Sequence, residues 1–167
     1  VSPDLILVLG GSMGAAEINR LVYENLDGLC PKWHVVHQAG KSGDFSIKRE
    51  NYDQREFIGD ELPLLMKKAR LVITRSGANT LSELCILAKT SLLIPLRSSQ
   101  SRGDQIENAA WLEERGAAAV LNDGKDFLEK VSVLMDDDTD IGENAYKLRC
   151  EDASERIASV IEGVIND

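Results

Sequence analysis

Five consecutive apolar residues, Leu5-Ile6-Leu7-Val8-Leu9, run without a polar break into Gly10-Gly11. A strand with one wet face alternates apolar and polar residues. An unbroken run marks a strand covered on both faces, as in a parallel sheet. Leu71 to Thr74 and Ser91 to Pro95 repeat the pattern. Trp33 to Gln38 and Ala117 to Leu121 read as further strands, and Glu56-Phe57-Ile58 as a short one. Between them lie segments of helical spacing. Ala15 to Leu29 carries Ile18, Leu21, Val22 and Leu26 on one stripe. Leu62 to Ala69 follows Asp60 as its expected cap, with Pro63 in its first turn. Thr80 to Ala88, Gln105 to Arg115 and Phe127 to Met135 read as helices, and Ser154 to Ile165 as an amphipathic one with Ile157, Val160, Ile161 and Val164 on its apolar stripe. Phe45 to Tyr52 is polar and follows neither period. Strands alternating with helices define an α/β chain: a Rossmann-like parallel sheet flanked by helices on both faces.

Bulk properties narrow the function. The 167 residues suit one domain with a proper core. A net charge of -9 argues against a nucleic-acid partner, which would call for a basic stripe, and disfavours an exposed face for anionic lipid. Cys30, Cys85 and Cys150 are widely spaced and read as reduced thiols of a cytoplasmic protein. No apolar run approaches the ~20 residues of a membrane span. The chain enters its first strand within a few residues of Val1, which reads as a piece with something upstream. Asp136-Asp137-Asp138-Thr139-Asp140 lacks the alternating ligands and glycine turn of a calcium loop and reads as a solvated loop or cap.

Ligands of open α/β sheets sit at the carboxyl ends of the strands, and several motifs fall at that edge. Gly10-Gly11-Ser12-Met13-Gly14-Ala15 permits a tight turn and close backbone approach to a phosphate, with a helix N-terminus behind it. It is neither a Walker A loop nor a full GxGxxG, and by itself it also fits a plain strand-to-helix turn. His37-Gln38-Ala39-Gly40-Lys41 ends a strand; His37 reads as a hydrogen-bonded structural residue and Lys41 as a surface charge. Glu56-Phe57-Ile58-Gly59 offers backbone groups to the edge of a base, or is an ordinary core strand. Arg75-Ser76-Gly77-Ala78-Asn79-Thr80 turns from strand into helix and aims free N–H groups at a site mouth. Glu83 stands one turn inside, where a carboxylate accepts both hydroxyls of a ribose. The polar loop from Arg97 re-enters a helix near Asp104, an N-cap by default. Gln105 beside it has less structural reason to be there, and the pair suits vicinal sugar hydroxyls.

With these motifs in order, the chain resembles the C-terminal, donor-binding half of the MurG-type enzymes of glycosyltransferase family 28, two-domain transferases of GT-B fold. The resemblance covers nearly the whole chain. It is carried by Gly10 to Ala15 with Ile18-Asn19, by His37 to Lys41, by Glu56 to Ile58, by Arg75 to Glu83, and by Arg102-Gly103-Asp104-Gln105 with Asn108-Ala109. Departures stand at Met13, where many relatives carry Gln, at Asp104, where some carry Gln, and at Asn79, where some carry an apolar residue.

The resemblance implies UDP-N-acetylglucosamine as donor and lipid I as acceptor, the acceptor held by an absent N-terminal domain that also carries the catalytic base. It implies that the Ile58 backbone reads the uracil edge with Phe57 packed nearby, and that Glu83 holds the ribose. Ser12, with the backbone of Gly11 and Gly14, takes the diphosphate. Ser76 and Gly77 open the helix whose first residues, Ala78, Asn79 and Thr80, line sugar and phosphate. Asp104 and Gln105 contact sugar hydroxyls. No catalytic residue, metal site or cofactor is expected within the chain, since no Asp-x-Asp stands at the expected edge. Helix N–H groups, Ser12 and a cationic side chain would offset the diphosphate charge. The whole enzyme is expected at the cytoplasmic face of the cell membrane, with only peripheral contact. Two other readings stand beside this one: a stand-alone donor subunit of a two-component N-acetylglucosaminyltransferase, and a non-catalytic nucleotide-sugar sensor. A dinucleotide-binding oxidoreductase fits less well, for want of GxGxxG and its acidic residue about 20 positions on.

Overall fold

A computed structural model describes residues 4–11, 15–96, 103–136 and 139–149. Six strands form one parallel sheet: β1 (Leu5–Leu9), β2 (His34–Gln38), β3 (Tyr52–Arg55), β4 (Leu71–Thr74), β5 (Thr90–Leu93) and β6 (Ala119–Val120). Their order is β3-β2-β1-β4-β5-β6, so the winding reverses between β1 and β4. Leu9 stands opposite both Gln38 and Thr74, Gln38 opposite Arg55, and Thr74 opposite Leu93. The chain therefore leaves β1 to β5 at one common edge.

The unbroken apolar runs are explained by two cores, one on each face. Ile6, Val8, Leu71, Ile73 and Leu92 face α1 (Ala16–Leu29) and α5 (Phe127–Asp136), whose Ile18, Val22, Phe127 and Val131 are fully buried. Leu7, Leu9, Val72 and Leu93 face the other way. They meet Met66 of α2 (Leu62–Lys68), Leu81 and Leu84 of α3 (Ala78–Ile86), Leu112 of α4 (Asp104–Glu113) and Ala145 of α6 (Ile141–Lys147). The central strands β1 and β4 thus send alternate residues into opposite cores, and both sets must be apolar.

Three expectations are corrected, and one helix is added. Glu56-Phe57-Ile58 is not a strand; the strand is the polar Tyr52–Arg55 just before it, and residues 56–59 are the loop beyond its carboxyl end. As an edge strand, β3 is only half-buried, so its composition carries no apolar run. Asp60 does not cap α2, because Glu61 occupies that position in helical conformation with no side-chain cap. Gly103, at φ +84°, replaces Asp104 as the residue before α4. Helix α6 was not anticipated; Gly142 and Ala145 bury its inner face. The stripe from Ser154 to Ile165 lies outside the described residues. Cys30 and Cys85 are buried free thiols, and Cys150 also lies outside the description. Among the described residues no helix is long and apolar enough to cross a membrane.

Candidate functional site

The site begins where β1 ends. The Gly10 N–H donates to the Gln38 carbonyl at 3.0 Å. A Cβ at Gly10 would stand 3.0 Å from that oxygen and 3.2 Å from the Ala15 nitrogen, so the turn has no room for a side chain. Gly11 is exposed at φ +76°, a left-handed conformation that favours glycine. Ser12 and Gly14 lie outside the described residues. Helix α1 opens beyond them at Ala15 with no side-chain cap. Across the switch point, α3 opens at Gly77, also with no side-chain cap. Among the described residues neither helix N-terminus beside the gap between β1 and β4 has a side-chain cap, and their first N–H groups are donors that an anionic ligand can satisfy.

A buried polar network holds the β2 side of this edge. Asn19, on the inner face of α1, donates to the Ala39 carbonyl at 2.9 Å, and its Oδ1 meets His37 Nε2 at 3.0 Å. Since the Asn19 amide gives its N–H to Ala39, His37 donates from Nε2 and accepts the Tyr52 hydroxyl at Nδ1, 2.8 Å away. His37 is structural, as expected, and Lys41 is exposed. Burial lowers the His37 pKa to about 4.

The structure divides the expected donor contacts. Phe57 is 66% exposed on the loop beyond β3. Ile58 is 1% exposed, and its N–H donates to Gln38 Oε1 at 2.8 Å, so its carbonyl is the backbone group left to read a base edge. Ala78 and Asn79 are exposed in the first turn of α3, with Thr80 half-buried. A Cβ on Gly77 would meet nothing within 4 Å, so the turn is open to an approaching group. Glu83 is exposed and borders an apolar hollow of about 250 Å³ with Leu62 and Pro63, which follow directly on the Phe57 loop. The fold thus brings Glu83 of α3 beside the opening turn of α2, which follows that loop in the chain.

Ser76 and Gln105 are partners of each other. Ser76 is fully buried and donates from Oγ to the Gln105 carbonyl at 2.6 Å. Gln105 Oε1 accepts from the Leu96 N–H at 3.1 Å, and Asn108 donates to the Ser76 carbonyl at 3.1 Å. Gln105 therefore has a structural reason after all: it ties the exit of β5 and the start of α4 to the turn before α3. Asp104 is exposed, and its Oδ1 accepts from the neighbouring Gln105 N–H. Sequence reading assigned no role to Asn19 or Arg75. The signal for Asn19 was an amide within the apolar stripe of α1. Arg75 gave none locally, because its partners, Ile94 and Glu17, are 19 and 58 residues away.

A doubly wound parallel sheet with two helix N-termini open at its switch point is the nucleotide-binding class of α/β domain. The model of the glycosyltransferase family 28 C-terminal domain matches residues 5–162, and the chain belongs to that family. It is 38% identical over 164 residues to the UDP-N-acetylglucosamine--N-acetylmuramyl-(pentapeptide) pyrophosphoryl-undecaprenol N-acetylglucosamine transferase of Clostridium botulinum strain Kyoto, covering 95% of this chain and 46% of that protein. The like-named transferase 3 of Bacillus cereus is 37% identical over 168 residues, covering 96% of this chain and 48% of the relative. The chain thus spans about half the length of the curated relatives it matches. In fold it is similar to Acinetobacter baumannii MurG, with a TM-score of 0.79 at 23% identity over 97% of this chain and 50% of that one. The calicheamicin glycosyltransferase CalG4 follows at 0.75 and 18%, covering 99% and 44%. The architecture is that of one half of a GT-B glycosyltransferase.

Proposed function

We propose that the chain is a single donor-binding domain. It holds UDP-N-acetylglucosamine for transfer to lipid I, giving lipid II in peptidoglycan synthesis. The observation that carries this reading is the likeness to named N-acetylglucosamine transferases, 38% identical over 95% of the chain. Phe57 packs on the uracil and the Ile58 carbonyl accepts from its edge. Glu83 accepts the ribose hydroxyls. Ser12, with the backbone of Gly11 and Gly14, and the opening turn of α3 from Gly77 to Thr80 donate to the diphosphate and sugar. Asp104 and the Gln105 Nε2 meet sugar hydroxyls, while Ser76 acts through the turn it anchors.

In the transfer, an acceptor hydroxyl attacks the anomeric carbon, the bond from that carbon to the UDP oxygen breaks, and the configuration inverts. Charge gathers on the departing diphosphate, where preorganised N–H groups stabilise it. The base that takes the hydroxyl proton and the surface that holds the lipid belong to an acceptor domain outside this chain, so turnover requires that domain. The whole enzyme works at the cytoplasmic face of the membrane.

Calorimetry with UDP-N-acetylglucosamine and UDP-glucose tests the reading. Saturable binding should favour the N-acetyl sugar. Glu83→Ala should weaken it by about 1–3 kcal/mol, the cost of a lost hydrogen-bond acceptor. Equal affinity for both sugars, or an indifferent Glu83→Ala, would sink it.

A further inference from the structure

Arg75 follows β4 directly, beside the gap between β1 and β4, and its side chain is 17% exposed. One nitrogen, Nη1, donates both to the Ile94 carbonyl at 2.9 Å and to Glu17 Oε2 at 3.0 Å. Nε and Nη2 have no partner among the described residues. Glu17 lies in the first turn of α1, and its side chain is 44% exposed. That turn is where the positive end of a helix attracts an anion. A fixed carboxylate there occupies the same electrostatic ground as a diphosphate. A guanidinium that pairs with a carboxylate through one nitrogen keeps its remaining donors for phosphate oxygens, which it binds by the same chemistry.

We propose that Glu17 competes with the donor's diphosphate for Arg75, and that this ion pair sets how tightly the phosphates are held. The inference rests on the donor-domain reading above. Arg75 is the positioning cation, bridging the end of β5 and the start of α1, and Glu17 is the counterweight that lowers its hold. The competition scales with ligand charge. UDP, with a second ionisation on its terminal phosphate near neutral pH, carries more charge than the sugar-linked donor, and uridine carries none. Glu17 therefore weakens the leaving product more than the incoming donor, which favours product release.

The test is calorimetry of the whole chain with uridine, UDP-N-acetylglucosamine and UDP at one ionic strength. Glu17→Gln should tighten UDP roughly three- to tenfold, the donor by less, and uridine not at all, because the effect is coulombic and partly screened. Arg75→Met should weaken UDP by about tenfold or more and leave uridine unchanged. Glu17→Ser serves as the second variant should Gln at this position lose the fold, which thermal melting monitors. An unchanged or weaker UDP affinity in Glu17→Gln overturns the proposal, as does an equal shift for all three ligands. If the wild-type chain binds UDP but Glu17→Gln changes nothing, only this inference falls. If it binds no UDP at millimolar concentration, the donor reading falls with it.

Discussion

At the scale of the residue, His37 shows how burial turns a titratable side chain into a structural one. Its ring lies between Asn19 and the Tyr52 hydroxyl, fully removed from solvent. Desolvation disfavours the imidazolium, so the folded pKa of about 4 lies below the ordinary 6.5. As pH falls, the unfolded chain takes up this proton first. The His37 contribution is present above about pH 6.5, declines below it and is fully lost near pH 4. Urea denaturation should show a loss of roughly 2–3 kcal/mol from this group between pH 7 and 4.5. His37→Gln should flatten that part of the slope. Parallel slopes in the two proteins would contradict the assignment. That this histidine is structural was legible from its place at a strand end. Its partners were not, because Asn19 approaches from 18 residues earlier and Tyr52 from 15 later.

At the scale of the element, helix α3 ends unusually. The Lys89 N–H returns to the Leu84 carbonyl at 3.0 Å and the Ala88 N–H to Cys85 at 3.2 Å, a Schellman closure with Ala88 in its left-handed position at φ +52°. Glycine is the residue that this position favours, since a Cβ there costs energy. Ala88→Gly should therefore stabilise the chain by about 0.5–1 kcal/mol, read as a raised urea midpoint; a lowered midpoint would contradict it. The opposite substitution belongs to the neighbouring element. A Cβ on Gly142 of α6 would stand 2.4 Å from the Ala88 carbonyl oxygen. Gly142→Ala must push α6 off α3, with an expected loss of about 1–3 kcal/mol by the same assay. Edges also shape what can be read. At the edge strand β6, Lys130 of α5 donates to the Val120 carbonyl and satisfies a backbone acceptor there. In β3 the half-buried Tyr-Asp-Gln-Arg run hides a strand, while the apolar Phe57-Ile58 pair beside it suggests one. Strand identity at an edge is set by backbone pairing to β2, and composition records only one covered face.

At the scale of the whole molecule, strand order decides which loops meet. The reversal between β1 and β4 places the glycine turn beside the Arg75-Ser76-Gly77 turn, although more than sixty residues separate them. In the donor-domain reading proposed above, helix N–H groups and the Arg75 guanidinium oppose the diphosphate charge. Among the described residues no cluster of three or more His, Cys, Asp or Glu side chains is placed to hold a metal ion. Binding carried by amide dipoles and charged side chains predicts that donor affinity stays within about twofold on adding EDTA. A strong loss in the same calorimetry would show that a divalent ion takes part.

The sequence by itself determined the alternation of strand and helix, the two-sided burial of the sheet, and the edge at which ligand-facing turns gather. These follow from local causes: continuous apolar runs need two covered faces, and Gly10-Gly11 needs a turn only glycine makes easily. Tertiary structure alone decided the commitments of the polar groups. Ser76 closes on Gln105, Ile58 gives its N–H to Gln38, and Arg75 is shared between Ile94 and Glu17. A buried donor must find an acceptor somewhere, but residue identity does not say where. The partner is whichever group the crossover connections carry to the same edge, and that is a property of the assembled sheet.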